Sequence, residues 1–176
     1  MPDASAHELP FAWLDGVTRD EARSALGRCC ASSRWVEAML ERRPFGSSET
    51  LRSAAREVWA HLARADYLEA FAGHPPIGAR LGAMRERFAS THGWSREEQA
   101  GVEAAAEAVL ATLERANQAY LERFGYLFIV CATGKTAPEL LALLRERLPN
   151  APDRELLVAA AEQAKITELR LEKLRP

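Results

Sequence analysis

Residues 95–125 read SREEQAGVEAAAEAVLATLERANQAYLERFG, and this stretch decides the fold. Ser95 and Glu98 have capping-box spacing, in which a hydroxyl and a carboxylate satisfy the first free N–H groups of a helix. Val102, Ala106, Val109, Leu110, Leu113, Asn117 and Tyr120 follow at helical period, one polar residue on an apolar stripe. Asn117 is expected to be buried and bonded to a loop backbone. Gly125 is placed to end the helix. Beyond it, Tyr126-Leu127-Phe128-Ile129-Val130-Cys131-Ala132 has strand propensity, the only such segment in the chain. One strand without a partner would leave an open edge. The segment is therefore expected to be buried extended chain or an apolar helical turn.

The same helical signals extend outward in both directions. Thr18 and Glu21 form a capping box before a run reaching Cys30. Ser33 opens a short helix through Trp35, Val36, Met39 and Leu40, stopped by Arg43-Pro44-Phe45-Gly46. Ser47 or Ser48 opens a third, with Leu51, Ala54, Val58 and His61 or Leu62 on its stripe. Asp66 and Glu69 have box spacing before Tyr67 to Phe71. Toward the C-terminus, Thr136 and Glu139 cap a helix with Pro138 in its first turn, and Asp153 caps the last, which runs to Lys173. No repeat or linker divides the chain, so the expectation is one all-α domain of seven or eight helices over residues 1–176.

Composition limits the function. The 176 residues are 48% hydrophobic, enough for a sizeable core, and 23 basic against 25 acidic side chains leave a formal charge of −2. That balance argues against nucleic acid or an anionic membrane as partner. Cys29, Cys30 and Cys131 make neither a disulfide framework nor a zinc pattern, and they suit a reducing, cytoplasmic setting. No secretory signal or membrane span is expected from the N-terminal residues or from the longest apolar run.

Few residues could carry chemistry. Gly134-Lys135-Thr136 imitates the end of a phosphate-binding loop, but Ile129 stands where that motif needs glycine, so Thr136 is read as a helix cap. His7 and His92 read as solvated, and His61 as a core or boundary histidine. His74 differs, because it stands in Gly73-His74-Pro75-Pro76-Ile77-Gly78, where prolines fix the backbone and can aim an imidazole at a cleft. The helix start at Ser95-Arg96-Glu97-Glu98-Gln99 offers free N–H groups suited to an anion. Arg170 reads as a surface ion pair or as a guanidinium reaching into a cleft.

In order along the chain come Arg34-Trp35-Val36-Glu37, Arg43-Pro44-Phe45, and Tyr67-Leu68-Glu69-Ala70-Phe71 leading to His74-Pro75-Pro76-Ile77-Gly78. Then follow Ser95-x-x-Glu98-Gln99, Asn117-x-x-Tyr120-x-x-Arg123-Phe124-Gly125-Tyr126, Phe128-Ile129-Val130-Cys131, Gly134-Lys135 and Ile166-x-x-Leu169-Arg170-Leu171. Together, from about residue 34 to 174, they resemble the OHCU decarboxylases. That family acts on 2-oxo-4-hydroxy-4-carboxy-5-ureidoimidazoline in the conversion of urate to allantoin. The resemblance implies an all-α, homodimeric lyase that needs no cofactor and no metal, releases CO₂ and yields (S)-allantoin. It implies His74 as the catalytic proton donor and Glu98 as the essential acid. It implies Pro75, the stretch Ser95, Arg96, Glu97 and Gln99, the stretch Ile129, Val130, Cys131, Ala132 and Thr133, and Arg170 as substrate-binding.

Two positions depart from the family's pattern. Pro76 stands where Asp or Arg is usual, which puts substrate preference in question, and Leu127 replaces a proline before the Phe-Ile run. A helical binding or adaptor domain without chemistry, or the same scaffold acting on a related cyclic ureide, are the alternatives the residues leave open. The enzyme reading expects the His74 imidazole and the Glu98 carboxylate to share one hollow.

Overall fold

In the computed structural model, residues 10–75 and 96–174 are described, with side chains in the second stretch from residue 107 onward. Eight helices occupy the described residues and no strand does: α1 Pro10–Gly16, α2 Arg19–Cys29, α3 Ser33–Glu41, α4 Ser48–Ala60, α5 Arg64–Ala72, α6 Arg96–Phe124, α7 Ala137–Arg147 and α8 Pro152–Glu172. The all-α expectation holds. Among the described residues, no helix is long and apolar enough to cross a membrane.

The chain divides into two compact units, residues 1–73 with 160–176, and residues 74–159. The first unit gathers α1 to α5 and the later part of α8. Its core holds Leu14, Leu26, Trp35, Met39, Phe71 and Leu171, all essentially without solvent contact. Burying indole requires a partner for its N–H. Trp35 Nε1 donates to the Ala55 carbonyl at 3.2 Å, and Trp59 Nε1 to the Ala160 carbonyl at 3.0 Å. Arg19 and Arg23 of α2 pair with Glu37 and Glu41 of α3 on the outside, where ion pairs add little.

The caps account for most helix starts. The Thr18–Glu21 and Thr136–Glu139 boxes form as their spacing predicts. Ser47 caps α4, whereas α3 is capped by Ser32, one residue before the expected Ser33. The Asp66–Glu69 box does not form. Asp66 is the third residue of α5 and its carboxylate accepts from the Ala63 N–H at 2.8 Å, while Glu69 accepts from the N–H and hydroxyl of Ser33. Asp153 lies inside the first turn of α8. His61 is the exposed cap residue after α4, its Nδ1 2.7 Å from the Glu57 carbonyl, and is not a core residue. His7, His92 and the hydroxyl half of the Ser95 box lie outside the described residues.

The second unit is built around the end of α6. Leu110, Leu113, Asn117 and Tyr120 are buried along one stripe. Asn117 donates to the Leu113 carbonyl of its own helix, at 3.0 Å. Gly125 ends α6 with φ +79, and its N–H donates to Leu121. Residues 126–132 are neither helical nor paired in a sheet, and Phe128, Ile129 and Val130 are buried. Gly134, at φ +76, supplies the left-handed turn before Thr136, so the Gly-Lys-Thr run is a turn and a helix cap.

Candidate active site

His74 is the first residue after the α5 cap, Gly73, and its side chain is only 7% exposed. Gly73 stands there for a packing reason: a Cβ built on it would lie 2.3 Å from the Ala31 Cβ, far inside contact distance. Its φ of −72 is ordinary, so contact alone selects glycine. Gly73 is therefore pressed against the α2–α3 connection. Pro75 is exposed.

Arg96, Glu97, Glu98 and Gln99 form the first turn of α6, as the capping-box spacing predicts for the helix start. Their side chains, and Ser95, lie outside the described residues, and so does the hollow expected for His74 and Glu98. Of the other binding stretch, Ile129, Val130 and Cys131 are buried, Ala132 is half-buried and Thr133 is exposed. The stretch thus runs from the core to the surface within five residues.

Two cations hold this stretch by its main chain. Arg147 Nη1 donates to the Ile129 carbonyl at 2.8 Å, and Lys135 Nζ to the Cys131 carbonyl at 2.8 Å. Arg147 is itself buried. Its Nε donates to Glu155 Oε1 at 2.8 Å, and its guanidinium lies 4.5 Å from the centre of the Phe128 ring. Glu155 has no solvent exposure and also accepts from the Tyr120 hydroxyl and from Asn150 Nδ2. Burial, and then donation to Glu155, push the Tyr120 phenol far above its usual range, so it stays protonated. The sequence hid this network. Tyr120 reads as one more stripe residue, and Arg147 and Glu155 as ordinary charges at helix ends.

Among the described residues, Arg170, in the first unit, makes no ion pair. Its Nη1 donates to the Cys29 carbonyl at 3.2 Å, and the side chain is half-buried. It lines an open depression of about 640 Å³ shared with Arg28, Lys173, Cys29 and Leu174. Among the described residues, the wall carries three cations and no carboxylate. In the sequence, Arg28 and Lys173 each look like a solvated helix-end charge. Burial pushes the Cys29 thiol up to about 11, so it is a protonated thiol at neutral pH.

The sequence pattern of one family, OHCU decarboxylase, matches residues 15–172. The chain belongs to the OHCU decarboxylase family. Membership places it among the carboxy-lyases of urate degradation. A 2-oxo-4-hydroxy-4-carboxy-5-ureidoimidazoline decarboxylase of Haloferax volcanii is 30% identical over 94% of this chain and 95% of its own length. The uric acid degradation bifunctional protein TTL of Arabidopsis thaliana is 39% identical over 83% of this chain, which spans 45% of that longer protein. Among solved structures, an OHCU decarboxylase crystallised in the presence of (S)-allantoin superposes with a TM-score of 0.67 at 37% identity, covering 84% of this chain and 94% of the other. For an OHCU decarboxylase, the second unit offers a buried imidazole at a loop entry and main-chain groups held by cations.

Proposed function

We propose that the chain converts 2-oxo-4-hydroxy-4-carboxy-5-ureidoimidazoline to (S)-allantoin and CO₂ as a cytoplasmic homodimer, without a cofactor. The observation that carries this reading is the family match over residues 15–172, within which His74 is a buried imidazole. Decarboxylation needs an acceptor for the electron pair of the breaking C–C bond. The substrate supplies one, an imine-like carbon–nitrogen bond beside the carboxylated carbon. The pair flows onto that nitrogen as CO₂ leaves. That nitrogen takes up one proton and the ureido-bearing carbon another, while the hydroxyl becomes the ring carbonyl by losing its own.

The protein's tasks are orientation and proton transfer. His74 exchanges a proton with the substrate hydroxyl or with the developing carbanion. Glu98 holds ring and ureido N–H groups, and fixes the imidazole. Pro75 shapes the loop. Residues 95–99 and 129–133 bind the ring, and Arg170 balances the substrate's negative charge.

Turnover of freshly generated substrate by His74→Asn and Glu98→Gln tests the assignment. Each is expected to fold normally and to lose about 10²-fold or more in kcat, the usual share of general acid–base catalysis. Near-wild-type turnover by both would overturn it. Chiral analysis of the product checks the (S) outcome. Related cyclic ureides in the same assay show whether Pro76 has moved the preference, and no CO₂ release from any of them would leave a binding domain.

A further inference from the structure

We propose that Lys135 and Arg147 are positioning residues for the reaction, acting as a pair of cationic clamps on the main chain that binds the substrate ring. The inference rests on the role given above to residues 129–133 and adds what fixes their geometry. Residues 126–132 belong to no helix and no sheet, yet most of them are buried. Their carbonyls have no regular ladder, and a buried carbonyl needs a donor from elsewhere. Two carbonyls, two residues apart, receive one from a charged side chain: Ile129 from Arg147 and Cys131 from Lys135, each at 2.8 Å. Charge-assisted bonds are shorter and stronger than neutral ones.

The two clamps differ in depth. Lys135 reaches back from the turn formed by Thr133 and Gly134, so the Gly-Lys-Thr run that imitates a phosphate loop grips this chain's own backbone instead. Arg147 is held from below by Glu155, which is held in turn by Tyr120 and Asn150, while Phe128 covers the guanidinium face. A buried ion pair is a poor source of stability, since apolar side chains of similar volume often do as well. A guanidinium does offer a rigid fork with fixed donor directions. The network's contribution is therefore directional. It sets where the Ile129 carbonyl points, and with it the facing of the neighbouring amide groups.

Arg147→Met would leave Glu155 buried beside no cation and is expected to compromise folding, so Lys135 carries the test. Lys135→Met keeps the aliphatic stem and loses the ammonium, and Lys135→Arg restores a cation. Three measurements are needed on the full chain: steady-state kinetics with freshly generated substrate, equilibrium binding of (S)-allantoin, and amide hydrogen exchange over residues 129–133. Lys135→Met is expected to keep its thermal midpoint within a few degrees. It should lose about tenfold or more in kcat/KM, mainly through KM, bind (S)-allantoin correspondingly less well, and exchange faster over 129–133. Lys135→Arg should recover most of each loss. Wild-type kinetics, binding and exchange in Lys135→Met would overturn the proposal, as would faster exchange with unchanged KM and binding. If the wild-type chain neither turns over the substrate nor binds (S)-allantoin, the function proposed above fails instead, and the exchange measurement still decides whether Lys135 orders the segment.

Discussion

A single methyl group separates Gly73 from alanine, and in this chain there is no room for it. The added Cβ would sit 2.3 Å from the Ala31 Cβ. Relief requires moving either the α2–α3 connection or the loop that begins with His74. Gly73→Ala is expected to cost about 1–3 kcal/mol, the usual range for overpacking, and to lower kcat because the displaced residue is next to the imidazole. Adding Ala31→Gly should recover both losses in thermal melts and in turnover. Recovery of stability without turnover would separate packing from placement of His74. The contact joins residues about forty positions apart, so the sequence could mark Gly73 as a helix end but not as a close approach. His61 shows the converse. Its spacing fits the α4 stripe, but the helix ends one residue earlier and turns it outward.

At the level of elements, the capping boxes were legible because they are local: four consecutive residues contain both partners. They also carry a pH dependence. The N–H and hydroxyl of Thr136 hold the Glu139 carboxyl below its usual range, and Thr18 does the same for Glu21. A carboxyl whose folded value is depressed stabilises the fold above its unfolded value and loses that contribution as pH falls through the folded one. Melts of Glu139→Gln and wild type are therefore expected to differ most above about pH 5 and to draw together as pH falls through the depressed folded value. A constant difference across that range would show that the charge is not what the box uses. The start of α5 was misread because Asp66–Glu69 has the right spacing but the wrong phase. The helix begins two residues before Asp66, which serves as the returning carboxylate, while Glu69 turns to Ser33.

Over the whole molecule, long-range contacts complete the first unit. Trp59 donates to a carbonyl 101 residues away and Arg170 to one 141 residues away, and Leu171 is buried in that core. Removing residues 160–176 would strip Trp59 of its acceptor and open the core along a whole helix face. The truncated chain is expected to lose cooperative thermal unfolding, followed by circular dichroism. A sharp transition near the wild-type midpoint would mean that α1 to α5 suffice alone.

Helical period, cap spacing and the isolated apolar run at 126–132 set the all-α class and most helix starts, and the flanking Gly73, Pro75 and Pro76 the candidacy of His74, from the sequence alone, because each depends on residues within a few turns of one another. The ordered set of short motifs fixed the family in the same way. Only the folded chain decided that Arg147, Glu155 and Tyr120 form one buried network, that Lys135 grips a backbone carbonyl, and that Arg28 and Lys173 share a depression with Arg170. A charged residue carries no local mark of burial or partner, since both are set by what distant segments bring against it.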